Sequence, residues 1–250
     1  MSSAIETIVR AHHVVRGIET DATATVSPGW LSRMLEAARW EVFGRETFVL
    51  RNRIVGGVAR AASFDYGVAL RYQDEIEIAT WLGRVGRTSY DFGHAVTRVQ
   101  DSAVAARARV TVVHIGPDGP APLDEDLSTA VLDEPLPEPV AWSDVPRESS
   151  WKRSWVVRPS DQDSFRHVNQ ARYVDFADDT RQLAALSQQD AGLVGPLASL
   201  SIEYLRETHA GSTVQMETWV TGDHARGFEL TNPSTGVVHS RGQVRGKPDS

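Results

Sequence analysis

The chain has 250 residues, 41% apolar and 24% charged, with a formal net charge of −7 at pH 7 and no cysteine. The length suffices for two ordinary domains with separate cores; the acidic balance argues against general binding to nucleic-acid phosphates, and the missing thiols exclude disulfides, cysteine nucleophiles and thiolate metal sites. No run approaches the roughly 18 apolar residues of a membrane span, and the opening MSSAIETIVRAHH lacks a signal peptide's apolar stretch, so a cytoplasmic location is expected.

In chain order, residues 9–16 read as a strand and 28–43 as a helix. Pro28 suits the first helical turn with Ser27 as its cap, and Leu31, Leu35, Ala38 and Val42 form one apolar stripe. Strand-like alternation follows through 75–84, 88–99 and 103–115. Residues 116–150 then hold seven of the twelve prolines, with many acids and little periodicity, which predicts a stiff linker wrapped over the surface. After it the order recurs: a strand at 154–158, a helix over 170–187, and strands near 200–208, 213–221, 227–230 and 237–245. Asn232, Pro233 and Gly236 mark the turn between the last two. One helix per half followed by a run of antiparallel strands is the α+β pattern.

The recurrence extends to residues. VVRGIETDATATV from Val14 aligns with VVRPSDQDSFRHV from Val156 at a shift of 142, which also sets Arg39 on Arg181 and Glu36 on Asp178. The shared order of strand, aspartate and helix points to duplication. The boundaries expected are an N-terminal domain at 1–116, the linker at 117–150 and a C-terminal domain at 151–250. Within the repeat, Thr25 stands where His167 stands and Ser27 where Asn169 stands. One copy keeps polar, chemistry-capable side chains and the other does not.

The intact copy, DSFRHVNQARY over 163–173, sets an acid, a histidine and an amide at the mouth of the second helix. Unpaired backbone N–H groups and the positive dipole end can polarise a carbonyl there. Asp163 offers a general base or nucleophile, or alternatively only an Asx turn, a reading favoured by Asp21 in the other copy. His167 can orient or activate water with a carboxylate behind it. Asn169 is most simply the helix N-cap, which keeps the free N–H groups aimed at a substrate oxygen. Glu207, in the polar stretch EYLRETHAG, is either part of the network or a solvent-exposed strand end.

This motif resembles the D-x-x-G-H-V-N-N-x-x-Y signature of hotdog-fold acyl thioesterases of the 4-hydroxybenzoyl-CoA thioesterase type. It is closer still to the D-x-N-x-H-V-N-N form of acyl-carrier-protein (acyl-ACP) thioesterases, which fuse two hotdog domains in one chain. Asp163, His167, Val168, Asn169 and Tyr173 fall on the motif positions. Glu207 falls on the glutamate that joins the family's catalytic network. Phe165 stands in place of the family's catalytic asparagine, Arg166 in place of glycine or glutamine, and Gln170 in place of the second asparagine. The resemblance implies two tandem hotdog domains forming an internal, pseudo-twofold dimer with a continuous antiparallel sheet. It also implies a site in the groove between halves, with Asp163, His167, Glu207 and Asn169 catalytic and substrate contacts from the first half.

The expected substrate is an acyl-CoA or acyl-ACP thioester, hydrolysed to free acid and thiol, in a unit open to further homo-oligomerisation. A hydratase or dehydratase of acyl thioesters on the same fold, and a non-catalytic acyl-ligand-binding module suggested by Phe165, are the alternatives. No cofactor or metal is expected: the chain has no G-x-S-x-G, no phosphate loop, no G-x-G-x-x-G and no H-E-x-x-H. His12 and His13 point to opposite faces of a strand. His94 and the tryptophans Trp30, Trp81 and Trp219 read as packing residues. Arg147, Lys152, Arg153 and Arg158 form either a basic patch for the phosphates of coenzyme A or an acidic carrier, or a solvated strand edge.

Overall fold

The computed structural model describes residues 7–44, 57–140, 142, 146, 147, 150–188 and 195–247. The chain divides into two compact units, residues 1–138 and 139–250. The first contains β1 (Ile8–Val14), a one-turn 3-10 helix (Gly17–Glu19), α1 (Pro28–Gly44), β2 (Gly57–Tyr66), β3 (Glu75–Val85), β4 (Ser89–Arg98), β5 (Ala103–Gly116), the short β6 (Gly119–Pro120) and a second 3-10 helix (Glu125–Ala130). Its strands run antiparallel in the order β1-β3-β4-β5-β2, with β6 turned back on β5.

The second unit has β7 (Trp151–Val156), a 3-10 turn (Pro159–Asp161), α2 (Gln170–Gln188), β8 (Leu197–Tyr204), β9 (Thr213–Gly222), β10 (Ala225–Thr231) and β11 (Val238–Gly246). Its order, β7-β9-β10-β11-β8, repeats that of the first unit strand for strand, and every pairing is antiparallel. Each unit is therefore α+β, a long helix on an antiparallel sheet, the hotdog arrangement expected from the sequence.

The helices sit where their apolar faces put them. Leu31, Leu35, Ala38 and Val42 are all buried, and α1 packs on β1 and β3. In α2 the buried face, against β7 and β9, includes Tyr173, Val174, Phe176 and Ala177 but also Asp178 and Arg181. The charges are tolerated because Arg181 donates from Nε and Nη2 to Asp178 Oδ1 at 2.9 and 2.7 Å, and Gln182 satisfies Oδ2 at 2.8 Å.

Two tryptophans lock the sheets. Trp81 of β3 lies against Gly93 of β4, and Trp219 of β9 against Gly227 of β10; both indoles are 1–2% exposed. Only glycine leaves room for a ring on the neighbouring strand.

The structure adds one strand and corrects one expectation. Residues 57–66 form a ten-residue strand, β2, that the sequence hides, because AR-AAS-rich chain shows little alternation in side-chain size. And β8 ends at Tyr204, so Glu207 lies in the following loop and not in a strand: the N–H groups of Leu205 and Arg206 both reach the single carbonyl of His239, which ends the regular ladder.

Much of the proline-rich stretch packs onto its neighbours. Leu123 N–H donates to Arg87 O and Leu132 N–H to Leu82 O, both at 2.9 Å, and Leu127 is fully buried. Burial of one such leucine stabilises by about 2 kcal/mol. Further on, Trp142 sits edge-on to Trp219 with ring centroids 5.6 Å apart. Residues 141, 143–145 and 148–149 of this stretch lie outside the described residues. No helix among the described residues is long and apolar enough to cross a membrane.

Candidate active site

The motif loop is fixed by hydrogen bonds of both backbone and side chains. Asp161 accepts the Arg158 N–H at 2.8 Å and pairs with Arg158 and with Arg172 of α2 at 2.9 and 3.0 Å. Burial alone would raise this carboxyl; the Arg158 hydrogen bonds and the two guanidinium charges outweigh it and hold it below its ordinary value. Asp163 N–H donates to His167 O at 2.9 Å and Arg166 N–H to Asp163 O at 3.0 Å, with Arg166 in a left-handed conformation, φ 63°. Val168 N–H then donates to Thr208 O at 2.8 Å, tying the loop to the segment after β8.

That tie brings two distant pieces of sequence together. His167 Nε2 lies 3.1 Å from Glu207 Oε2, and Glu207 Oε1 lies 3.5 Å from His209 Nε2. His209 Nδ1 is 3.1 Å from the carbonyl oxygen of Arg166, and the His167 and His209 rings meet edge to face at 5.2 Å. His239 of β11 donates from Nδ1 to the Glu207 carbonyl at 3.0 Å; burial lowers its pKa, against the pull of its backbone hydrogen bonds. Tyr173 donates to Thr208 Oγ1 at 3.0 Å, and its phenol is pushed up to about 12, first by burial and further by the Asp163 and Glu207 charges.

Of the predicted residues, His167 and Glu207 are thus joined side chain to side chain. Asp163 accepts the Phe165 N–H on Oδ1 at 2.9 Å, an Asx turn, and Asp21 does the same with Thr23 N–H at 2.8 Å. Asn169 Oδ1 takes the Ala171 N–H at 2.9 Å and caps α2. Phe165 is 62% exposed. At 3.1 Å the Glu207 carboxylate can accept a proton from Nε2, an arrangement that would orient the His167 ring and leave Nδ1 as its basic nitrogen. With side chains 38% and 60% exposed, the pair is open to a substrate.

Sequence reasoning missed His209. The signal lay in the offset between copies, which changes from 142 to 138 beyond the helices: Val26 N–H donates to Leu70 O as Val168 N–H does to Thr208 O, and 208 − 70 = 138. That offset sets Ala69 on Glu207 and Arg71 on His209, as Thr25 stands on His167. The first copy has neither imidazole nor carboxylate at any of the three places.

Residues outside the loop are accounted for structurally. Arg147 bonds Glu217 and Glu229 at 2.6 and 2.9 Å, Lys152 pairs with Glu217 at 3.4 Å, Arg153 lies over Trp155, and Arg158 serves Asp161. Of the two readings of these cations, the basic patch is the weaker, because the neighbouring acids largely neutralise it. His12 pairs with Glu77 and His13 with Glu19. His94 is fully buried against Thr80 Oγ1 at 2.9 Å.

A family model described as the thioesterase-like superfamily matches residues 15–131 and 157–243, one stretch in each unit. The chain belongs to the thioesterase-like superfamily. Among solved structures, an acyl-ACP thioesterase from Bacteroides thetaiotaomicron is similar at TM-score 0.79 and 17% identity, over 95% of this chain and 97% of that one. The 12:0-ACP thioesterase from Umbellularia californica is similar at 0.78 and 15%, over 97% and 94%. A MaoC-like dehydratase from Phytophthora capsici shares the fold less closely, at 0.60 and 11% over 98% and 97%. At such identities the likeness is one of fold, and it makes this superfamily member a tandem double-hotdog chain. No curated protein matches the sequence.

Proposed function

We propose that this member of the thioesterase-like superfamily is an acyl thioesterase, hydrolysing an acyl chain from acyl carrier protein in preference to coenzyme A. The observation that carries the reading is the 3.1 Å contact between His167 and Glu207 at the mouth of α2, present in one of two otherwise matching turns. Water adds to the thioester carbonyl carbon, the C–S bond breaks, and the thiolate leaves as the thiol once protonated. His167, oriented by Glu207, polarises and transfers a proton. Asp163, with Oδ1 tied to the Phe165 N–H, keeps Oδ2 to activate water or to attack the carbonyl. Asn169 caps the start of α2, whose positive dipole end favours the developing oxyanion.

The carrier assignment leans on the full-length likeness to proteins described as acyl-ACP thioesterases. A medium or long acyl chain follows the likeness to a protein described as a 12:0-ACP thioesterase. The test is thiol release from acetyl, octanoyl and palmitoyl thioesters of both carriers. Faster release from the longer acyl-ACP substrates is expected; a preference for acetyl-coenzyme A, or no release from any, would sink the reading. The dehydratase-like neighbour gives a second reading, hydration of an enoyl thioester. Loss of enoyl absorbance without thiol release would select it, and binding without turnover would select an acyl-binding module.

A further inference from the structure

We propose that His167, Glu207 and His209 form a site for one divalent transition-metal ion of the zinc class, and that the bound ion blocks hydrolysis. The blocking rests on the reading of His167 and Glu207 as the hydrolytic pair; the binding does not.

One ligand atom from each of the three residues lies within 4.8 Å of the other two, and the carboxylate of Glu207 stands between the rings, Oε2 at 3.1 Å from His167 Nε2 and Oε1 at 3.5 Å from His209 Nε2. Tetrahedral zinc at about 2.0–2.1 Å from nitrogen and oxygen ligands spaces those ligands by about 3.3–3.4 Å. Small side-chain rotations therefore suffice, and the exposure of the three side chains, 38%, 60% and 54%, allows them and admits water as a fourth ligand. Two imidazoles and one carboxylate select zinc, cobalt or nickel over magnesium or calcium, which take all-oxygen shells.

The outer contacts orient a ligand as metal sites do. The Arg166 carbonyl can only accept, so at 3.1 Å it fixes the proton of neutral His209 on Nδ1 and turns the lone pair of Nε2 toward Glu207. A lone pair facing a carboxylate 3.5 Å away is unfavourable until a proton or a metal cation stands between them. The left-handed turn at Arg166 aims that carbonyl. In the first copy Thr25, Ala69 and Arg71 stand in place of the three ligands, so the matching turn holds no equivalent. Elsewhere, the pair His12 and Glu77 offers two ligands only.

On binding, His167 Nε2 gives its proton to solvent and its lone pair to the ion, and Glu207 exchanges the imidazole for the metal. No oxidation or reduction is involved. The hydrolytic pair is then occupied.

The test uses the full chain stripped with a chelator, titrated calorimetrically with zinc chloride and, in parallel, with cobalt chloride while the visible absorption of tetrahedral cobalt is followed. One equivalent is expected, weakened by at least about tenfold in His209→Ala and in His209→Gln, with His12→Ala unchanged. The glutamine variant keeps a polar side chain should the alanine variant fold poorly. Absence of saturable binding, or unaltered affinity in the folded His209 variants, overturns the site. Zinc should also inhibit thiol release in step with occupancy, and chelator should restore it. Zinc bound at this site without inhibition overturns the blocking. Zinc bound to a protein that releases no thiol even when metal-free leaves the site standing and removes the hydrolytic reading instead.

Discussion

Ala24 and Arg166, 142 positions apart, hold the same left-handed backbone, with φ of 59° and 63°. Each donates its N–H at 3.0 Å to the aspartate three residues earlier, and each turn closes on an equivalent bridge, Thr20 with Val26 and Gln162 with Val168. The duplicated turn has thus been kept to atomic detail in a copy that lost His167, Glu207 and His209. Its backbone is a scaffold that outlasts the chemistry it carries in the other half.

A side chain in the left-handed region costs about 1 kcal/mol relative to glycine. Ala24→Gly and Arg166→Gly should each therefore raise stability by up to about 0.5–1 kcal/mol, less the glycine's unfolded-state entropy. Denaturant midpoints at unchanged slope would show it. A loss of more than about 1 kcal/mol at Arg166 would mean that its side chain holds the loop.

Asp163→Asn and His167→Ala should each lower kcat by about two orders of magnitude or more, as removal of a positioned acid–base group does, with KM little changed. Asp21→Asn in the first copy makes the same Asx turn and should leave turnover nearly intact. Phe165→Asn restores the amide of the resembling family; a rise in rate would identify the exposed ring as a handicap. Near-normal turnover in folded Asp163 and His167 variants would show that the chemistry lies elsewhere.

Gly227→Ala should cost about 1–3 kcal/mol, because the new methyl would meet Trp219 Cε2 at 2.7 Å. The indole has little freedom to retreat, being held edge-on by Trp142 and capped by the Arg147 guanidinium 4.4 Å from its ring. Gly93→Ala, facing Trp81 Cε2 at 2.3 Å, should behave alike, and Gly222→Ala, with open space around it, should change little. Equal midpoints for all three would refute the locking role.

His94 is kept neutral in the fold: burial first, and the Arg39 charge second, hold its pKa well below 6.5. The unfolded chain takes up a proton near pH 6.5 that the folded chain refuses, so stability should fall as pH drops below about 6.5 toward the folded pKa, by at most about 1.4 kcal/mol per pH unit. Thermal unfolding between pH 7 and 5 should show this slope, and His94→Gln should flatten it. An unchanged slope in the variant would assign the effect to other groups, His239 foremost.

Much of this protein is local, and local physics is legible in a sequence. The apolar stripe of α1, the caps Ser27 and Asn169, and the strands rich in β-branched residues follow from periodicity and turn chemistry, and duplication from an aligned series of identities. The Asp163 turn is equally local, since its hydrogen bonds span four residues. What the sequence left undecided depends on partners far along the chain. β2 is a strand because β5 supplies its hydrogen bonds, whatever its alanines prefer. Glu207 and His209 become neighbours of His167 only because Val168 N–H finds the carbonyl of Thr208, forty residues on, and because the shared His239 carbonyl ends β8 just before them. A backbone hydrogen bond across that separation leaves no mark on side-chain spacing, so the cluster exists only in the folded chain.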